Sequence, residues 1–172
     1  MIKAFLRRTN FLLLILVLCQ YLESHSQPHE EYRIVIKKSE FLLELHQSDS
    51  LVRKFNIAVG KHAGDKQRVG DYRTPEGEFH ISQIQDSRDW VHDFGDGKGS
   101  IAGAYGPWFL RLDTGAGKTK SGKWWKGIGI HGTHAPASIG TMATEGCIRM
   151  KNEDLEEMKK LVRIGTPVRI LP

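Results

Sequence analysis

A chain of 172 residues with 40% hydrophobic and 26% charged positions has the size of one ordinary domain and is too short for two with separate cores. Its formal charge of +5 falls to about +3 when Lys3, Arg7, Arg8 and Glu23 of the first segment are set aside, a mild surplus that suits an anionic envelope polymer or a membrane surface. No basic run is interleaved with stacking aromatics, so the pattern of a nucleic-acid binder is excluded.

Lys3, Arg7 and Arg8 precede an apolar run from Phe11 to Cys19, the charged and apolar parts of an export signal. The run is shorter than the roughly 20 apolar residues of a spanning helix. Ser24 and Ser26 offer a small-residue cleavage site before Gln27, so residues 1–26 are expected to be a cleaved signal peptide. The alternative is a lipoprotein signal ending at Cys19, although Leu18 stands where a small residue is normal. Arg7 and Arg8 also resemble a twin-arginine signal, but the strongly apolar run favours the general export route. All of these send the chain to the periplasm or cell envelope, the lipidated form with membrane anchoring through the N-terminus. Each also leaves Cys147 with no intrachain disulfide partner. A single thiol of this kind is bonded to another molecule, reactive, or buried and inert.

Residues 27–31 read as a short polar linker, and residues 32–172 as the domain proper. "YRIVIKK" alternates Tyr32, Ile34 and Ile36 with polar or smaller neighbours, and "FLLELHQ" follows a polar break, which predicts a first hairpin. "LVRKFNIAVG" predicts a third strand ending at Gly60. "GEFHISQIQ" predicts a fourth, entered through the turn "RTPEG". Residues 86–103, rich in Gly, Asp and Ser, predict a long loop. Strands return in "YGPWFLRLD" and "GIGIHG", separated by the basic loop "DTGAGKTKSGKW". Asn152 is placed to cap a helix with Leu155, Met158, Leu161 and Val162 on one face, stopped by Gly165 and Pro167. "PVRILP" predicts a closing strand. The whole is mainly β with one helix towards the C-terminus, a β-sandwich or partly closed barrel.

A cysteine attacks a carbonyl as its thiolate, so it needs a base or a lowered pKa, together with donors for the developing oxyanion. Gly146 permits a sharp turn, and the amides of Gly146 and Cys147 could then face one pocket. A helical turn beginning near Cys147 would further favour the thiolate. Among the histidines, His131 closes the strand "GIGIHG", where it is both positioned and reachable. His134 is the nearest rival, while His46, His62, His80 and His92 lack a comparable constraint. His131 and His134 have poor metal-ligand spacing and no second cluster, so no metal is expected.

The stretch "IHGTHAPASIGTMATEGCIRMKNEDLEEM" resembles the signature of L,D-transpeptidases of the YkuD family, a His-Gly-Thr segment followed about fifteen residues later by Ser-His-Gly-Cys-x-Arg. Upstream, "TPEGEF" and "YGPWFLRLDT" resemble further family segments, so the resemblance runs from Tyr32 to Pro172. It implies a YkuD-like fold, Cys147 as nucleophile, and His131 as base and then acid with the Gly132 carbonyl orienting its ring. It also implies an oxyanion hole from amides near Gly146 and Cys147. Arg149 would buttress the loop, meet a substrate carboxylate or form a structural salt bridge. Thr133, Ser138 and Thr144 would line the pocket or make local loop bonds. Trp108 is read as core packing, with Trp124 and Trp125 as a loop anchor or cleft wall. The implied substrate is the peptidoglycan stem peptide, crosslinked through a thioester, with no cofactor, a monomeric enzyme and sensitivity to carbapenem-like agents. With water as acceptor the same chemistry is that of an L,D-carboxypeptidase.

One position departs from the family pattern. Where it has Ser-His, this chain has Thr144 and Glu145, and a carboxylate beside the thiol would raise its pKa. Glu145 is the feature that favours a non-catalytic peptidoglycan-binding homologue. Sortase-like enzymes share the order histidine, cysteine, arginine, but typically carry threonine where Gly146 stands. Papain-like hydrolases place the cysteine first.

Overall fold

The computed structural model describes residues 31–95, 97, 99–114 and 127–172. The expected export signal, Cys19, most of the linker, and Trp124 and Trp125 lie outside the described residues.

The chain forms β1 (Tyr32–Lys37), β2 (Leu42–Gln47), β3 (Ser50–Gly60), β4 (Gly77–Asp86), β5 (Val91–Asp93) and β6 (Ser100–Ala102). These are followed by β7 (Trp108–Asp113), β8 (Gly129–His131), β9 (Met142–Thr144), β10 (Ile148–Met150), the helix α1 (Asn152–Lys159) and β11 (Pro167–Leu171). Alternation builds the inner layer: Ile34 and Ile36 of β1, Leu43 and Leu45 of β2, and Val168 and Ile170 of β11 are all buried, while Val35 of β1 and Arg169 of β11, between them, are more exposed. The expected first hairpin is present, β1 pairing antiparallel with β2 from Tyr32–Gln47 to Lys37–Leu42.

The strands run in the order β10-β8-β7-β4-β11-β1-β2-β3, and β10 then pairs with β3 through Arg149–Ala58 and Met150–Ile57. The sheet therefore closes on itself as an eight-stranded barrel, with β9 added beside β3. Of the two expected forms, the barrel is the one adopted, and it is closed. Its interior holds Ile57, Ile81, Leu110, Ile130 and Ile148, each fully buried. Burying such side chains contributes about 1.5–3 kcal/mol apiece.

Three details differ from the sequence expectation. The predicted loop 86–103 contains a small antiparallel hairpin, β5–β6, pairing Val91 with Ala102 and Asp93 with Ser100. Cys147 is followed by strand β10, so no helical turn begins there. Asn152 does not cap α1 but is its first residue, the cap position being Lys151 without a side-chain bond. Glu153 and Asp154 in the first turn still suit the helix dipole. Leu155 and Met158 bury the helix on the barrel, and Leu161 and Val162 continue that packing beyond its end. Trp108 packs against the core edge as expected, with Lys159 Nζ 4.1 Å above its ring.

Candidate active site

Three neighbouring strands converge on one face. In β8 and β10, running parallel, His131 is the register partner of Arg149, and in β7 and β8, running antiparallel, it is the partner of Phe109. The His131 ring stacks on Phe109 with centroids 5.5 Å apart and planes 5° off parallel. Tyr105 meets it edge-on at 4.9 Å. Cys147, two residues ahead of Arg149, joins His131 in the wall of one cleft of about 480 Å³, which Arg111 and Glu145 also line.

The imidazole of His131 is 2% exposed. Its Nδ1 lies 2.6 Å from the Gly132 carbonyl oxygen, which can only accept, so the proton resides on Nδ1 and Nε2 keeps its lone pair. Burial pushes its pKa down to about 3, the Gly132 bond working the other way and Arg149 and His134 adding to the fall. Cys147 is partly exposed. Its Sγ lies 3.4 Å from the Gly127 oxygen. Burial pushes the thiol up to about 11, against the Gly129 amide and the charges of Lys66 and Arg111, with Glu145 adding to the rise. Both shifts favour the neutral forms, the thiol and the imidazole, of the two groups that line this cleft.

The loop that presents Cys147 is fixed by its own hydroxyl. Thr144 Oγ1 donates to the Cys147 carbonyl at 2.6 Å and accepts from the Gly146 amide at 3.1 Å. The expectation that the Gly146 amide faces the pocket is thus corrected: a short local bond to Thr144 captures it. Gly146 itself is required, since φ is +130° and a Cβ there would stand 2.8 Å from the Arg73 oxygen.

Thr133 and Ser138 make local bonds instead of lining the cleft. Thr133 Oγ1 accepts from the Ala135 amide at 2.8 Å. Ser138 donates to the Ala135 oxygen at 2.7 Å and accepts from Arg149 Nη1 at 2.9 Å. Arg149 is 5% exposed, with Nε buried and unpartnered, and its guanidinium sits 5.8 Å from the Phe94 ring. It buttresses the loop through Ser138, and among the described residues no carboxylate forms a salt bridge with it. Burial lowers its pKa, opposed by Cys147 and Glu145. The rival His134 points its Nδ1 at the Ala104 oxygen, 3.1 Å away.

Several contacts of the site carry no local sequence signal. Asn152 clamps Thr133 from both sides, accepting from its amide at 2.7 Å and donating to its oxygen at 3.1 Å, which holds the segment after His131. Tyr105 is half-buried, its hydroxyl pushed up to about 12 by burial and by Cys147 and Glu145. Lys66, 4% exposed, pairs with Asp71 at 2.8 Å at the cleft wall. Glu145 reaches His92 of β5, Oε2 to Nε2 at 3.2 Å. The Thr-Pro-x-Gly turn did carry a signal: its Thr74 Oγ1 accepts from the Gly60 amide and pins the adjoining loop.

Comparison with known proteins gives a consistent result. The family model described as YkuD, L,D-transpeptidase catalytic domain, matches residues 31–170. A Bacillus licheniformis relative carrying the name L,D-transpeptidase YkuD is 33% identical over 141 residues, covering 82% of this chain and 66% of its own length. An L,D-transpeptidase structure from Mycobacterium smegmatis superposes with a TM-score of 0.58 at 18% identity, covering 83% of this chain and 59% of that one. L,D-transpeptidase 3 of Mycobacterium tuberculosis, solved with a faropenem-derived adduct, superposes at 0.58 with 17% identity, covering 83% and 61%. The two structures share the fold, and this chain spans about two-thirds or less of the length of each of these relatives.

Proposed function

The chain belongs to the YkuD family of L,D-transpeptidase catalytic domains, and from that premise we propose that it is an exported enzyme that crosslinks peptidoglycan stem peptides through a cysteine thioester. The observation that carries this reading is the shared cleft of Cys147 and His131, with the His131 proton held on Nδ1 by the Gly132 carbonyl and the Nε2 lone pair left free of it.

The neutral resting pair sets the order of events. Cys147 loses its proton to His131 Nε2 as sulfur attacks the donor amide, because neither group is ionised beforehand. The charge that develops on the carbonyl oxygen falls to the Cys147 amide, since the Gly146 amide is held by Thr144. The imidazolium then protonates the departing D-residue amine, leaving the thioester. In the second half an amine from another stem attacks, His131 takes its proton and returns it to the sulfur. Arg149, buried and without a carboxylate partner among the described residues, stabilises the loop and the anionic character of the intermediates.

The test is intact mass of the mature domain after incubation with a carbapenem. A single stoichiometric adduct is expected on the native chain, absent from Cys147→Ala and formed at least about a hundredfold more slowly in His131→Ala. A folded, reduced native chain that takes up no adduct would favour the non-catalytic wall-binding reading.

A further inference from the structure

Transpeptidation and hydrolysis share an acyl-enzyme and differ only in the nucleophile that opens it. At neutral pH the amine of a second stem arrives mostly as an ammonium, while competing water is uncharged. A cleft that favours crosslinking therefore gains from a fixed negative charge near the thioester, provided that charge is not already neutralised.

Glu145 has that placement. It lines the cleft beside Cys147, and its side chain is 39% exposed. Of the cations that share the cleft, Lys66 is paired with Asp71 at 2.8 Å, while Arg149 bonds Ser138 at 2.9 Å and Arg111 Nε bonds Gln83 and Gln85 at 3.2 and 3.3 Å; among the described residues none of the three forms a salt bridge with Glu145. Among the described residues, Glu145 is the one carboxylate in the cleft wall, and its Oε1 meets no donor. Its other oxygen is fixed by His92, whose ring is itself held by Phe94 at 4.5 Å and Tyr105 at 5.5 Å. The carboxylate is thus oriented from the β5–β6 hairpin while one oxygen stays open to the cleft.

We propose that Glu145, oriented by His92, is the specificity residue that recognises the cationic amine of the acyl acceptor. This rests on the acyl-transfer reading given above. The ammonium binds to Oε1 and releases one proton to solvent. The free amine lone pair attacks the thioester carbonyl, the C–S bond breaks, and the second amine proton passes through His131 Nε2 to the departing sulfur. The products are one amide and one regenerated thiol. Glu145 contributes to binding of the acceptor, so its effect falls on the acceptor KM and on the ratio of crosslinking to hydrolysis.

The experiment uses the full mature chain with a defined tetrapeptide stem as donor and two nucleophiles at pH 7: D-alaninamide, mostly cationic, and hydroxylamine, mostly neutral. In Glu145→Gln the KM for D-alaninamide is expected to rise roughly three- to tenfold, the range of a partly exposed charged hydrogen bond. The KM for hydroxylamine stays the same, and hydrolysis gains on aminolysis. Glu145→Asp, which keeps the charge, is expected to retain part of the preference, and His92→Ala to lose part of it. Equal effects on both nucleophiles, or none, would overturn the proposal while leaving acyl transfer intact. Failure of the native chain to form an acyl-enzyme would remove the acyl-transfer reading and this one with it.

Discussion

Cys147 and His131 both sit where burial opposes charge, and the two consequences have opposite signs. The thiol is raised to about 11 and the imidazole lowered to about 3, so the ion pair is the minor form across the neutral range. Alkylation of Cys147 by iodoacetamide should accordingly be slow at pH 7 and climb with pH through 9 and 10, without a plateau near 8.5 where a free cysteine levels off. Glu145→Gln removes a negative charge that contributes to the rise and should move the profile to lower pH; a profile unchanged or shifted upward would contradict this electrostatic account. The sequence pointed to Cys147, His131 and Gly132 because each sits in a local motif. It could not show that Thr144 captures the Gly146 amide, since that choice depends on the bend between two residues that remain the same in either geometry. Nor could it show the His92–Glu145 contact, which joins positions 53 residues apart.

At the scale of the elements, the segment after His131 is held by the start of a helix. Asn152 reads as a capping residue from its place before an amphipathic run, yet its amide bridges both backbone groups of Thr133, 19 residues earlier. The capping signature and the clamp use the same side-chain chemistry, so pattern alone does not separate them. Asn152→Ala should destabilise the fold by about 1–3 kcal/mol through the two lost bonds. It should also slow carbapenem acylation more than a surface change of equal stability cost, because Thr133 follows the carbonyl that orients His131. Thermal melting and acylation rate, measured on the same samples, check the two parts. The long alternating strands were legible to within a residue or two at most ends. Of the five three-residue strands, β8 was legible inside the longer "GIGIHG" pattern, whereas β5, β6, β9 and β10 were not, since three residues alone carry no measurable period.

For the whole molecule, acid is the condition that most exposes how the site is built into the barrel. His131 is neutral in the folded state down to about pH 3, whereas in an unfolded chain it takes a proton near 6.5. Its contribution is therefore complete above pH 6.5 and is lost as pH falls towards 3, when the unfolded chain binds a proton the folded one refuses. Asp71 adds a second limb. Burial would raise its carboxyl, but Lys66 and the amides of Gln67, Arg68 and Arg73 outweigh that and hold it well below the usual range. Its stabilisation persists above about pH 4 and is withdrawn below it. Denaturant melts should thus show stability declining from pH 6.5 downward, steepening below 4, and Asp71→Asn should lower overall stability while flattening the lower limb. A melt that is level from pH 7 to 4 would argue against a buried neutral His131. Barrel closure itself was only half legible, because the pairing of β10 with β3 joins residues about 90 positions apart and leaves no trace in either local pattern.

That closure also sets a timetable. β10, which carries the residues just after the thiol, is the seam strand: it lies against β8 on one side and β3 on the other. Pairing with β8 joins Arg149 to His131 across 18 positions, whereas pairing with β3 spans about 90, so on contact-order grounds the β3 flank is expected to form later and the cleft to be complete only once it has. A chain whose barrel is still open carries Cys147 and His131 without the shared cleft that both line in the closed one.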